Sequence, residues 1–140
     1  MHWIGHNLEL SHSGWDGDEY ADKSGAMGYS YDQVSGPVMC FNGQKHYATR
    51  WYQSRTRHLF EDDLPFAGWL AFFGEATKTA PNEPVIWALI LPGPERLFLQ
   101  YNKAQSINVG TQSSRNAVTV TRDDGHVLET SGLQSWSVAG

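Results

Sequence analysis

An α+β fold follows from two rhythms in the 140-residue chain. Between residues 40 and 54, Phe41, Tyr47, Ala48, Trp51 and Tyr52 return at three- and four-residue steps, and Asn42 offers a cap near the start, so a helix is expected there. From about residue 84 the period shortens. PVIWALILP, ERLFLQYN, NAVTVTR, HVLET and LQSWSVA are short runs rich in Val, Ile, Leu and aromatics, separated by Pro–Gly, Asn and Asp–Asp–Gly turn signals. They predict a small antiparallel β-sheet or sandwich, with Asp124–Gly125 closing a hairpin. The stretch LFEDDLPFAGWLAFFGEATKTAPNE between the two halves reads as loop. The expected organisation is residues 1–60, a connecting loop 61–83 and a β-rich module 84–140.

The first helix is short and carries chemistry. His2 and His6 stand four apart in MHWIGHNLELSH, and residues four apart lie on one face about a turn up, so both imidazoles can reach one metal ion. His12 cannot join them from the same helix, which would carry it roughly 15 Å up and about 80° round the axis, against a Zn–N distance of about 2 Å. The chain must turn back near Glu9 or Leu10 if the three are to converge. A helix of about eight residues is marginal in water. Packing must hold it, and Ile4, Leu8 and Leu10 are the apolar candidates.

Beyond it, GWDGDEYAD is rich in glycine and acid and without apolar period, hence a loop. Asp16, Asp18, Glu19 and Asp22 could hold calcium, but the EF-hand pattern fails at its glycine and terminal glutamate, which favours a solvated acidic loop. Met27 in SGAMGYS is either a core filler or the floor of a metal site. In the helix over 40–54, Gln44, Lys45, Thr49 and Arg50 form the polar face, and His46 is read as a surface or core-edge residue. His58 and His126 have no partner at metal spacing.

Taken together, HWIGHNLELSHSG resembles the HExxHxxGxxH zinc signature of the metzincin endopeptidases, with Met27 where their Met-turn falls. More narrowly, GHNLELSHSGWDGDEYAD, SGAMGYSY and CFNGQKHYATRWY are similar to the gametolysin branch, secreted zinc peptidases that loosen glycoprotein cell walls. The resemblance covers residues 1 to about 54, with echoes such as YNKAQSINVGTQ further on. It implies His2, His6 and His12 as zinc ligands and Met27 as the turn beneath them. It also implies the lower part of a metzincin-like catalytic domain ahead of the sheet, a peptide or cell-wall glycoprotein substrate, and an extracellular location. Metzincins carry a twisted sheet and a further helix before the zinc helix, so an N-terminally truncated chain is expected. Tyr29 or Tyr31, just past the turn, could lie near the metal.

Two departures bear on activity. Trp3 holds the position of the motif glutamate, which takes a proton from the attacking water and passes it to the leaving amine. An indole N–H only donates, so hydrolysis is expected to be weakened by at least about 10²–10⁴-fold. Glu9 holds the motif's glycine position, where a positive φ is often needed and costs a non-glycine residue energy. Its carboxylate is also the one candidate for a substitute base or ligand. The alternative to a weakened peptidase is a non-catalytic pseudopeptidase that binds metal, peptide or glycan; Trp87 or Trp136 on the β-rich half could stack on sugar rings.

Composition narrows the partners. A formal charge of −5 gives no basic field for phosphate backbones, so no nucleic acid is expected. No apolar run approaches the roughly 18 residues of a membrane span, so no membrane is expected either. Cys40 is the single cysteine, which excludes an internal disulfide and leaves a free thiol, an intermolecular bridge or a lost partner. No secretory leader pattern is visible.

Overall fold

The computed structural model describes residues 1–28, 38–71, 88–131 and 135–138 of an α+β protein. Helix α1 spans His2–Asn7 and α2 spans Gly43–Thr49. The strands are β1 (Thr56–His58), β2 (Phe66–Trp69), β3 (Ala88–Leu91), β4 (Leu97–Asn102), β5 (Ala117–Thr121), β6 (Val127–Ser131) and β7 (Ser135–Val138). Five of them form one sheet in the order β1-β3-β4-β5-β6, and β2 pairs with β7.

All five strands foreseen after residue 84 form, though β7 joins β2 rather than the larger sheet; runs rich in Val, Ile, Leu, Thr and aromatics suit strands, and β3, β4 and β5 are buried on both faces. Leu99 and Tyr101 of β4 join Leu89, Leu91, Val118, Val120, Leu59 and Leu70 in an aliphatic core on one face. Full burial of a Leu or Val contributes roughly 1.5–3 kcal/mol. Phe98, Gln100, Thr119 and Thr121, which alternate with them, point to the other face and are also buried. Against that face lies α2. A Cβ on Gly43 would sit 3.3 Å from Phe98 Cβ, so the missing side chain lets the helix start close to β4.

The expectation of a purely antiparallel sheet is corrected at its edge. β1 runs parallel to β3, pairing Thr56 with Ala88 and His58 with Ile90. A three-residue strand is too short to show alternation, and β2 lies in the stretch read as loop because Pro65 and Gly68 mask its pattern. The hairpin at Asp124–Gly125 forms as expected. Gly125, at φ 86°, donates to Arg122 O at 2.9 Å, and Arg122 donates to His126 O at 2.9 Å.

The expected helix over 40–54 is shorter. Asn42 Oδ1 accepts from Lys45 N at 3.1 Å to cap it, and Arg50 at φ 59° ends it. Its buried face is also different: Lys45 and His46 turn inward, while Ala48 and Trp51 are exposed. The helix start lies close to β4, and with Lys45 and His46 inward, Phe41 stays buried and Tyr47 and Tyr52 half-buried, so that of the apolar step pattern only Ala48 and Trp51 are left outside. Burial between Phe41 and Tyr52 pushes the His46 pKa down to about 3.

A second cluster, Leu10, Ala26, Met27, Met39 and Phe41, lies under α1. It is tied to the sheet side by polar groups. Ala26 N donates to Cys40 O at 2.9 Å, Cys40 N to Asn108 Oδ1 at 2.9 Å, and Asn108 Nδ2 to Asn102 Oδ1 at 2.6 Å. Thr111 Oγ1 reaches Ser24 O at 3.2 Å. The echo YNKAQSINVGTQ thus supplies the buried Asn108 amide that holds Cys40, which in turn holds Ala26, and the Thr111 hydroxyl that holds Ser24. Cys40 is a free, buried thiol whose pKa burial pushes up to about 12. No described helix is long and apolar enough to cross a membrane. Tyr29, Tyr31 and Trp87 lie outside the described residues, and of Trp136 only the strand backbone is described.

Candidate metal centre

Helix α1 is held by its histidine face rather than by Ile4 and Leu8. With His2 and His6 inward, Gly5 lies beside them and Ile4 and Leu8 fall on the opposite side of the helix, since each residue advances about 100°. Ile4 and Leu8 are accordingly 52% and 41% exposed, while His2 and Gly5 are buried. Gly5 has a steric duty, because a Cβ there would stand 2.2 Å from Met27 Sδ. Met27, fully buried, is therefore packed directly beneath the turn that separates the two histidines.

The chain turns back where the convergence of three histidines requires. Leu10 N donates to Gly5 O at 3.0 Å and Glu9 N to His6 O at 3.0 Å, the paired bonds of a Schellman end. Glu9 occupies its left-handed position at φ 61°, where glycine would be unstrained. The reversal buries Leu10 and returns the chain past His6, so that His12 meets the other two from outside the helix.

The Nε2 atoms of His2 and His6 lie 3.2 Å apart, and those of His6 and His12 lie 3.1 Å apart. Two ligands on a tetrahedral zinc, at about 2.05 Å each, stand roughly 3.3 Å from one another. Each ring is oriented through its other nitrogen. His2 Nδ1 donates to Ala26 O at 3.0 Å, His6 Nδ1 to Leu10 O at 3.0 Å, and His12 Nδ1 to the Glu19 carboxylate. Oxygen acceptors on all three Nδ1 atoms put the ring protons there, and three Nε2 lone pairs then face one another. Such a set repels itself until a cation is shared. Burial, ahead of the charges of His6 and His12, lowers the His2 pKa despite the Ala26 bond that raises it, favouring the neutral ligand form. Among the described residues, this is the one group of three His, Cys, Asp or Glu side chains arranged to hold a metal ion.

The other site candidates are placed as follows. Trp3 is 71% exposed, with its ring centroid 5.9 Å from that of His2 and 6.1 Å from that of His6. Glu9 is exposed and lies beyond the helix end, outside the histidine group. The acidic loop is not uniformly solvated: Asp16 and Asp18 are exposed, Glu19 serves His12, and Asp22 is buried. Burial raises the Asp22 pKa, opposed by hydrogen bonds from Ser24 and Asn42. Glu19 and the inward Lys45 are the residues that sequence reasoning did not single out. Glu19 was visible only as one acid among several, seven residues past His12, and no spacing rule selects it.

Three imidazoles whose Nε2 atoms converge and whose Nδ1 atoms are each held by an oxygen could hold a metal ion, and three is the number of protein ligands a catalytic zinc site takes. A family model described as gametolysin peptidase M11 matches residues 1–111, and the chain belongs to that metallopeptidase family. The match runs through β4 and ends at Thr111, taking in the Asn102–Asn108 network. No curated protein and no solved structure matches the chain.

Proposed function

We propose that the chain is a zinc-binding domain of the gametolysin endopeptidase type, directed at extracellular or cell-wall (glyco)proteins, with hydrolysis weakened by Trp3. The convergence of three Nε2 atoms, each ring held through Nδ1, carries this reading. His2, His6 and His12 would hold the ion, and Met27, packed under Gly5, would serve as the Met-turn floor of a metzincin-like site. Zinc, when bound, supplies a Lewis acid for the peptide carbonyl and lowers the pKa of water. Among the described residues, no uncommitted proton acceptor stands beside it. The Trp3 indole cannot accept a proton, Glu19 is engaged by His12, and Glu9 is exposed in the turn after the helix, outside the histidine group, with no role in this scheme.

One observation favours a second, non-catalytic reading. An indole exposed to 71% beside the histidine rings offers an apolar face to a bound peptide or glycan, as a pseudopeptidase would need. Metal analysis with a casein or gelatin assay of the wild type beside Trp3→Glu separates the two. The expected result is one zinc per chain, little wild-type hydrolysis, and a gain of about 10²–10⁴-fold in Trp3→Glu. Zinc with a silent Trp3→Glu supports the pseudopeptidase. A zinc-free protein overturns the centre, and rapid wild-type proteolysis overturns the role given to Trp3.

A further inference from the structure

His12 sits between two serines whose hydroxyls are taken by the first turn of α2. Lys45 Nζ donates to Ser11 Oγ at 2.9 Å, and Asn42 Nδ2 donates to Ser13 Oγ at 3.1 Å. The same two donors reach the β5–β6 turn, Lys45 Nζ to Asp124 O at 3.3 Å and Asn42 Nδ2 to Gly125 O at 2.8 Å. One residue further on, Gly14 O accepts from Val127 N at 2.9 Å. A segment of irregular backbone is thus pinned on both sides of the third histidine to a helix and a hairpin that lie far along the chain.

Burying a lysine costs free energy that an apolar residue of similar length would not. Lys45 is nonetheless 1% exposed, and its direct polar contacts are a hydroxyl and a carbonyl. Gly125 makes room for it: a Cβ there would lie 2.3 Å from Nζ. We infer that Lys45 and Asn42 are positioning residues for His12, clasping Ser11 and Ser13 to the β5–β6 turn so that metal affinity depends on that turn. The inference rests on the metal centre proposed above. It places part of the site's support in residues 124–127, beyond the end of the family match.

The test is zinc competition titration and cobalt(II) absorption on the full chain, with circular dichroism as the check on folding. Lys45→Met is expected to weaken zinc about 10–100-fold, as loss of outer partners does, and to lower the intensity of the tetrahedral cobalt bands. Ser11→Ala, which leaves Lys45 its carbonyl partner, should move both readouts less but in the same direction. In a His12→Ala background, Lys45→Met should cause no further loss, because its effect runs through the absent ligand. A folded Lys45→Met with wild-type affinity and cobalt spectrum overturns the clasp, as does an equal loss in the His12→Ala background. If Lys45→Met does not fold, unchanged zinc affinity in Ser11→Ala overturns it. Failure of the wild type to bind either metal would refute the centre itself, a result distinct from normal binding in every variant.

Discussion

His2 and His6 on one side of the centre, and His12 on the other, are aimed by different kinds of contact. The helical pair is set four residues apart by α1, and main-chain carbonyls of Ala26 and Leu10 hold both rings. No side-chain substitution deletes a carbonyl. His12 lies on irregular backbone and is aimed by side chains: Glu19 on its ring, and the Lys45 and Asn42 contacts with its neighbours. One half of the candidate centre is therefore held through main-chain carbonyls, one of them 24 residues away at Ala26, and is robust to side-chain substitution at the acceptor, whereas the other is held through side chains that can be changed without touching His12.

The strongest way to break the robust half is through the backbone that carries the Ala26 carbonyl. A Cβ on Gly28 would lie 1.6 Å from Asp22 O, an overlap with main chain that no rotamer relieves. Gly28→Ala is expected to cost more than about 4 kcal/mol, read as loss of the cooperative unfolding transition or a large fall in its midpoint.

The His12 half is probed by pH. Burial lowers the Lys45 pKa to about 8, against the raising influence of Asp124 and Asp22. Between about 8 and the ordinary 10.5 the folded state binds fewer protons than the unfolded chain, so stability rises with pH through that window, and below 8 the full penalty applies. The rise, on the order of 2–3 kcal/mol, should vanish in Lys45→Met. Urea unfolding of both proteins at pH 7.5 and pH 10 gives the difference, in which the opposing effect of the Cys40 thiol cancels. A flat difference would mean that Lys45 is not desolvated.

Glu19→Gln sharpens the contrast with the carbonyl-held rings. Replacing the carboxylate by an amide keeps an acceptor but removes its charge, and zinc affinity should fall about 10-fold, at the low end for outer partners of a metal-binding histidine. Isothermal titration at fixed pH measures it, and an unchanged affinity would assign the orientation of His12 wholly to the serine contacts.

The smallest effect belongs to the turn. Glu9 at φ 61° should be relieved by Glu9→Gly, with a gain of about 1 kcal/mol reduced by the greater freedom of glycine in the unfolded chain. Thermal unfolding of the zinc-free protein reads this directly, and a clear loss of stability would show that the Glu9 side chain contributes more than its backbone strain costs.

Legibility from sequence followed the range of the forces involved. The hairpin at Asp124–Gly125, the cap at Asn42 and the reversal near Glu9 depend on a few consecutive residues, and the structure has each of them. The inward face of α2 was misread because a Lys–His pair inside and Ala48 and Trp51 outside violate the hydrophobic pattern. Only the approach of Gly43 to β4 explains it. Ile4 and Leu8 were misassigned for the same reason, since the histidines and Gly5 occupy the face that apolar side chains would otherwise claim. β1 is a pairing made by β3, and nothing within Thr56–His58 announces it.

The sequence by itself determined the helical spacing of His2 and His6, the need for a reversal before His12, the five later strands and membership in the family. Tertiary structure alone decided that His12 closes on the other two, that Glu19 is its partner, and that Lys45 is buried beside Ser11. The physical reason is distance along the chain. Local rules govern turns and periods over a few residues, but a hydroxyl gripped from 34 residues away is fixed only when the sheet, the helix and the ligand loop have packed together.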